Sequence, residues 1–210
     1  MGGRQALTRL EVVVIILVTL VVVGLLLPLL ALHTQKTARV ACTNIMKQIG
    51  LSFRIFATDH NDAFPMLVST NQGGSSEFRF SPEVFRHFQT LSNELGTPKV
   101  LVCPEDRRTS APNFDKLANT NISYFIGLDA QEERPEIVLS GDSNLTTNEV
   151  PVRAGIFPIT SQTRLGFTRE RHVNHGNICI GDGSVLSLSS WNQLKAFQNT
   201  NSFTNWLAVP

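Results

Sequence analysis

The chain opens on a short run with basic residues at Arg4 and Arg9, turns apolar at Val12, and carries no charged side chain until it has passed Leu32. At about 1.5 Å of rise per residue, that stretch makes a helix roughly 30 Å long, enough to cross the hydrocarbon core of a bilayer. One acid, Glu11, sits at its mouth. Beyond Pro28 the pattern changes. Apolar residues recur at Ala38, Cys42, Ile45, Ile49, Phe53 and Phe56, while Lys36, Arg39, Asn44, Lys47 and Gln48 fall on other faces. Steps of three and four draw one stripe along a helix. The pattern therefore predicts a single helix from about Leu7 to about Thr58, apolar all round in its first half and amphipathic in its second. Pro28 removes a backbone donor and is expected to bend the helix within the membrane, with Gly24 easing the bend. Asp59-His60-Asn61-Asp62 ends the helix in a polar turn, and Pro65 blocks its return.

The pattern after residue 60 predicts one α+β domain over residues 61–210. Asn71 to Ser76 reads as a flexible loop. Ser81-Pro82-Glu83 reads as a helix start, with Ser81 as cap and Pro82 in the first turn. Val84, Phe85, Phe88, Leu91 and Leu95 would be its buried face, and Gly96 and Pro98 its stop. Lys99 to Val102, Ile122 to Leu128 and Glu136 to Leu139 read as strands. Asn177 to Leu188 reads as a hairpin turning at Asp182-Gly183, a pair favoured where two adjacent positions need positive φ. Trp191 to Phe197 reads as a short helix, and Phe203 and Trp206 as tail residues packing back on the domain. The fold class expected is α+β, a long N-terminal transmembrane and amphipathic helix packed on a small antiparallel sheet.

Composition narrows the partners. Eighteen basic residues against seventeen acidic ones give a net charge of +1. No basic patch stands out, which argues against a nucleic-acid partner. The apolar run is too long for a secretory signal, and no Ala-x-Ala site follows it, so the helix reads as a retained anchor with a membrane part at about 12–32. The short basic leader places the N-terminus in the cytoplasm and the remaining chain outside. Three cysteines, Cys42, Cys103 and Cys179, are not at zinc-site spacings. An exported domain suits one disulfide plus one thiol, with Cys42–Cys103 the first choice because it would tie the long helix to the domain. The alternative is three buried small hydrophobes.

The segment ALTRLE followed by an apolar helix resembles the signal of type IV prepilins and type II secretion pseudopilins. ACTNIMKQIGLSFRIFATDHNDAFP, VCPED and GDSNLTTN resemble stretches of a pseudopilin-like group common in planctomycetes and verrucomicrobia. His172 followed by nine residues and Asp182-Gly183 matches that group's H-X9-DG tail signature. The resemblance implies a leader of residues 1–6, a prepilin-peptidase cut between Ala6 and Leu7, and N-methylation of Leu7. It also implies a role in assembly for Glu11 and a helix kink at Pro28. Ala6 stands where the family usually has Gly, Leu7 where it has Phe, and Arg9 at a position that is normally apolar. Ala6 is small enough for a peptidase pocket.

The implied partners are the prepilin peptidase, other pseudopilin subunits in a fibre, the secretion or pilus assembly platform and the bacterial inner membrane. The implied location is single-pass, with the C-terminal domain periplasmic. The implied role is a structural subunit and not an enzyme. Two other readings stand beside it, an anchored exported binding domain and an anchored hydrolase. The hydrolase would rest on His172, His175 and Asp182, but no serine elbow, zinc-binding helix or paired-carboxylate motif accompanies them. No cofactor is required. Asp59, Asn61 and Asp62 form an oxygen-rich cluster that supplies part of a calcium shell, without the spacing of a calcium loop. Asx turns at a helix stop explain it equally.

Overall fold

The computed structural model describes residues 8–160, 162–188 and 205–210; the side chains of residues 28–39 lie outside the description. Ala6, Leu7, the Trp191–Phe197 segment and Phe203 lie outside the described residues. Helix α1 spans Arg9–Asp59 without interruption at Gly24 or Pro28. The chain divides into two compact units, Met1–Val40 and Ala41–Pro210. The boundary thus falls inside α1 and not at residue 60, because the amphipathic half of the helix contributes its stripe to the core of the second unit.

In the first unit, Arg9–Leu27 is long and apolar enough to cross a membrane, and none of it is buried within the chain. The helix entry is a capping box, a motif in which an N-cap hydroxyl and a carboxylate three residues on satisfy each other's backbone donors. Glu11 Oε2 accepts from the Thr8 amide at 2.8 Å and from Thr8 Oγ1 at 2.9 Å. Thr8 Oγ1 in turn accepts from the Glu11 amide at 3.3 Å.

In the second unit, the buried stripe of α1 is Cys42, Met46, Ile49, Phe53, Phe56 and Ala57. The helix ends as its polar turn predicts, with Asn61 and Asp62 in left-handed backbone (φ 54° and 60°) and the Asp62 amide bonded to Ala57 O at 2.9 Å. Asn71 to Ser76, expected as a flexible loop, lies within an ordered run over residues 65–78. The run forms three single 3-10 turns, tied by Glu77, whose carboxylate accepts from Ser69 Oγ and the Thr70 amide. The helix expected from Ser81 begins later and breaks: α2 spans Phe85–Thr90 and α3 Ser92–Leu95. Ser81 Oγ is used up in a local turn, accepting from the Glu83 amide. The strand expected at Lys99–Val102 is a 3-10 turn over Pro98–Leu101, since Thr97 caps it and Pro98 presets its first φ.

Nine strands follow among the described residues: β1 (Tyr124–Gly127), β2 (Val138–Asp142), β3 (Leu145–Thr147), β4 (Val150–Pro151), β5 (Gly155–Ile159), β6 (Leu165–Phe167), β7 (Gly176–Ile180), β8 (Val185–Leu188) and β9 (Asn205–Val209). They make a six-stranded antiparallel sheet in the order β5-β9-β1-β2-β7-β8 and a three-stranded one in the order β4-β3-β6. The larger sheet has a core on each face, because strand side chains alternate. Tyr124, Ile126, Leu139, Cys179 and Ala208 face the α1 stripe. Phe125, Ile178, Ile180, Leu207 and Val209 pack with Leu145, Leu165 and Phe167 of the smaller sheet. The unit is therefore α+β, with α1 against one face of the sheet. Trp206 does pack back, but as part of β9, with its ring edge-on to Phe80 at 5.9 Å.

Candidate functional site

The tail signature maps onto β7. Its Asp182-Gly183 end makes the β7–β8 turn, where the Gly183 amide bonds Ile180 O at 2.9 Å. The turn differs from expectation: only Gly183 has positive φ (83°), so it is a turn with a glycine bulge and not a two-residue primed turn. Asp182 Oδ1 accepts from the Ser184 amide at 2.7 Å, and Arg54 of α1 donates to Asp182 O at 3.1 Å. A Cβ on Gly183 would come within 3.1 Å of the Arg54 side chain.

The other end of the signature is buried. His172 precedes β7 and Asp182 follows it, so a strand roughly 17 Å long separates the two. His175 is half-buried and its Nδ1 contacts Val173 O at 2.9 Å. The structure does not assemble these three into a catalytic group.

His172 instead meets the cysteines. Cys42, Cys103 and His172 are almost wholly buried. Cys42 Sγ lies 2.9 Å from Cys103 Sγ, and Cys103 Sγ lies 3.3 Å from His172 Nε2. Both cysteines are held as free thiols. Four elements converge: Cys42 comes from α1, Cys103 from the segment after the Pro98–Leu101 turn, His172 from the turn before β7, and Asp142 from the end of β2. Asp142 is fully buried, with Oδ2 3.9 Å from His172 Nε2. That oxygen also accepts from the Asn177 amide at 2.7 Å and from Asn177 Nδ2 at 3.1 Å. Its Oδ1 has no hydrogen-bond partner among the described residues.

The backbone that aims His172 is strained. His172, Val173 and Asn174 all have positive φ (54°, 50° and 61°). For side chains other than glycine this costs on the order of 1 kcal/mol per residue, and a β-branched residue such as Val173 is the least suited to it. Glu105 helps to hold the turn: Oε2 accepts from the His172 amide at 2.9 Å and lies 3.1 Å from the ring Nδ1. Glu105 also lines a cleft of about 360 Å³ with Asp106, Arg107, Arg108, Glu170 and Arg171.

The charges follow from contact and burial. The hydrogen bond shared with Cys103, together with burial, pushes the Cys42 thiol up, whereas the same bond and His172 pull Cys103 well below the usual thiol range. Burial pulls His172 down, but Cys103, Asp142 and Glu105 outweigh it and leave the imidazole above its ordinary value. Burial, reinforced by the Cys103 charge, pushes Asp142 up to about 6. Cys179 is different. Buried against Gly50 and away from these groups, it is pushed up to about 12 by desolvation, the state of an inert packing thiol.

The sequence offered Cys42 and Cys103 as a pair but gave no sign that His172 and Asp142 join them. Asp142 and Glu105 lie within the GDSNLTTN and VCPED stretches, but nothing local couples them to Cys42 or His172. No protein-family model, no curated protein and no solved structure matches the chain.

Proposed function

We propose that this chain is a pseudopilin subunit that is stored in the bacterial inner membrane, trimmed between Ala6 and Leu7 by a prepilin peptidase, and packed through α1 into a type II secretion or pilus-like fibre. The reading is carried by Glu11, a single acid at the mouth of an apolar helix that the rest of the chain leaves uncovered. Such a surface calls for lipid or the helices of other subunits. An acid there is costly unless it finds a partner. Trimming supplies one, the α-amine of Leu7 on a neighbouring subunit, and methylation keeps its positive charge. In a helix bundle with little water the pair is far stronger than at a surface, and it fixes the axial register.

The capping box is compatible with this role. Both Thr8 contacts go to Oε2, which leaves Oε1 for a second partner. The amphipathic half of α1, lying against an antiparallel sheet, suits a pilin-like domain displayed on a fibre surface outside the membrane. Peptidase, sister subunits and assembly platform are the partners this role requires.

The deciding measurement is the mass of the N-terminal peptide from native membranes. A Leu7 start carrying one extra methyl group supports the reading. A Met1 start in cells with an active prepilin peptidase overturns it.

A further inference from the structure

Two sulfurs and one imidazole nitrogen, brought from three distant parts of the chain, lie within 4.8 Å of one another in a buried site. We propose that Cys42, Cys103 and His172, with Asp142 closing the shell, hold one zinc-type divalent cation.

The donor set is that of a structural zinc site, which takes thiolates, imidazole and an occasional carboxylate in a closed tetrahedron. His172 is turned for the task. Its Nε2 faces Cys103 Sγ while its Nδ1 faces Glu105 Oε2. The charge of Glu105 beside Nδ1 favours a proton there and a lone pair on Nε2, the arrangement that metal-binding histidines use. Asp142 supplies the second observation. It is a fully buried carboxylate with Oδ2 3.9 Å from His172 Nε2, and its Oδ1 has no hydrogen bond among the described residues.

Two thiolates and one carboxylate exceed a divalent cation by one negative charge, and buried Arg171, which pairs with Asp106 and whose field also reaches Asp142, offsets part of it. Both cysteines bind as thiolates and His172 as a neutral imidazole through Nε2, and whatever protons these atoms held leave to solvent as the ion enters. With metal–sulfur bonds of about 2.3 Å the sulfurs would sit about 3.7 Å apart, so they separate slightly from their present 2.9 Å. Glu105, which touches both His172 and the cleft, marks the way in.

A disulfide is the competing fate of the two thiols. It would need neither His172 nor Asp142, nor the three left-handed residues that aim the ring. The ion uses all of them. Four protein ligands leave no open position, so the role is structural: the ion clamps the Cys42 turn of α1 to the Cys103 segment, to β2 and to the turn before β7. This inference stands whether or not the chain assembles into fibres.

The test uses the full chain purified in mild detergent without added reductant. Metal analysis is expected to find one zinc per chain, and two thiols are expected to become reactive only after a chelator is added. Exchange with cobalt(II) is expected to give the visible bands of a tetrahedral thiolate site in the unaltered protein, so no variant has to fold. Cys103→Ser and Asp142→Asn are expected to lower zinc affinity at least tenfold. A mass lighter by two hydrogens with a Cys42–Cys103 linked peptide overturns the proposal. So does a chain that stays metal-free with open thiols after zinc is supplied, or cobalt bound without thiolate bands.

Discussion

Glu105 holds His172 at two points with one oxygen, the backbone amide at 2.9 Å and the ring Nδ1 at 3.1 Å. The first contact fixes a strained turn and the second sets a negative charge beside the ring. Glu105→Gln keeps an acceptor for the amide but removes the charge beside Nδ1. If an ion sits at Nε2, the expected result is a 10–100-fold loss of zinc affinity with the circular-dichroism spectrum unchanged. Competition with a coloured chelator measures it.

Arg171 is buried and makes three polar contacts. Its guanidinium lies 3.1 Å from Asp106 Oδ2, donates to Ser123 O at 2.9 Å and donates to Ser143 Oγ at 2.8 Å. Arg171→Ala takes a cation from Asp106, which keeps Arg108 and the Ser123 hydroxyl, and a donor from Ser123 O, which keeps the Ser143 amide, and it removes the guanidinium from Ser143 Oγ. The expected cost is about 1–3 kcal/mol of domain stability, read as a fall in the urea midpoint. Arg171→Lys should recover only part of it, since an ammonium cannot reach all three acceptors in a plane.

Gly50 lies where α1 comes closest to β7. A Cβ there would meet Cys179 Sγ at 2.5 Å. Gly50→Ala is expected to destabilise by about 1–3 kcal/mol through overpacking, against the rise in helix propensity. In Gly50→Ala/Cys179→Ala the sulfur is gone, so the double variant should lose less than the sum of the two single losses. Thermal unfolding of the four proteins gives that coupling directly.

His87 is fully buried, and its Nδ1 lies 2.7 Å from Ser75 Oγ. Burial pulls its pKa down to about 4. The unfolded chain therefore binds a proton between pH 6.5 and about 4 that the folded chain refuses, and stability falls as pH falls through that window. The expected contribution is about 3 kcal/mol between pH 7 and pH 4. Comparing urea unfolding of the unaltered chain and His87→Gln across this range should show a shallower fall in the variant.

Thr8 and Glu11 separate capping from assembly. Thr8→Ala removes the cap hydroxyl and is expected to cost about 1 kcal/mol of helix stability while sparing fibre incorporation. Glu11→Ala should abolish incorporation and leave the domain folded. Equal loss in both variants would reduce Glu11 to a capping residue. Co-sedimentation with sheared fibres reads the outcome.

The long helix was legible because its register repeats over many turns, so that single exceptions such as Met46 do not obscure it. The β7–β8 hairpin was legible because alternation meets a turn pair at Asp182-Gly183. Residues 65–78 and 98–101 were not, since their conformation is set by individual side-chain bonds from Ser69, Glu77 and Thr97 and not by periodicity. The Cys42–Cys103–His172 group was hidden for another reason. Its members are 61 and 69 residues apart, and only the meeting of α1, β2 and β7 brings them into one place. The signature histidine and its Asp-Gly partner looked like one site; a strand between them makes them two.

The position of β9 sets a timetable for folding. Its residues fill the place between the edge strand β5 and β1, with Ile126 of β1 on one side and Pro158 of β5 on the other pairing with a segment that leaves the ribosome after both. Until Val209 has been made, those two strands present bare edges to each other across a gap. A nascent chain in that state is exposed to premature pairing with its siblings, and shielding by a chaperone during that interval would guard against it.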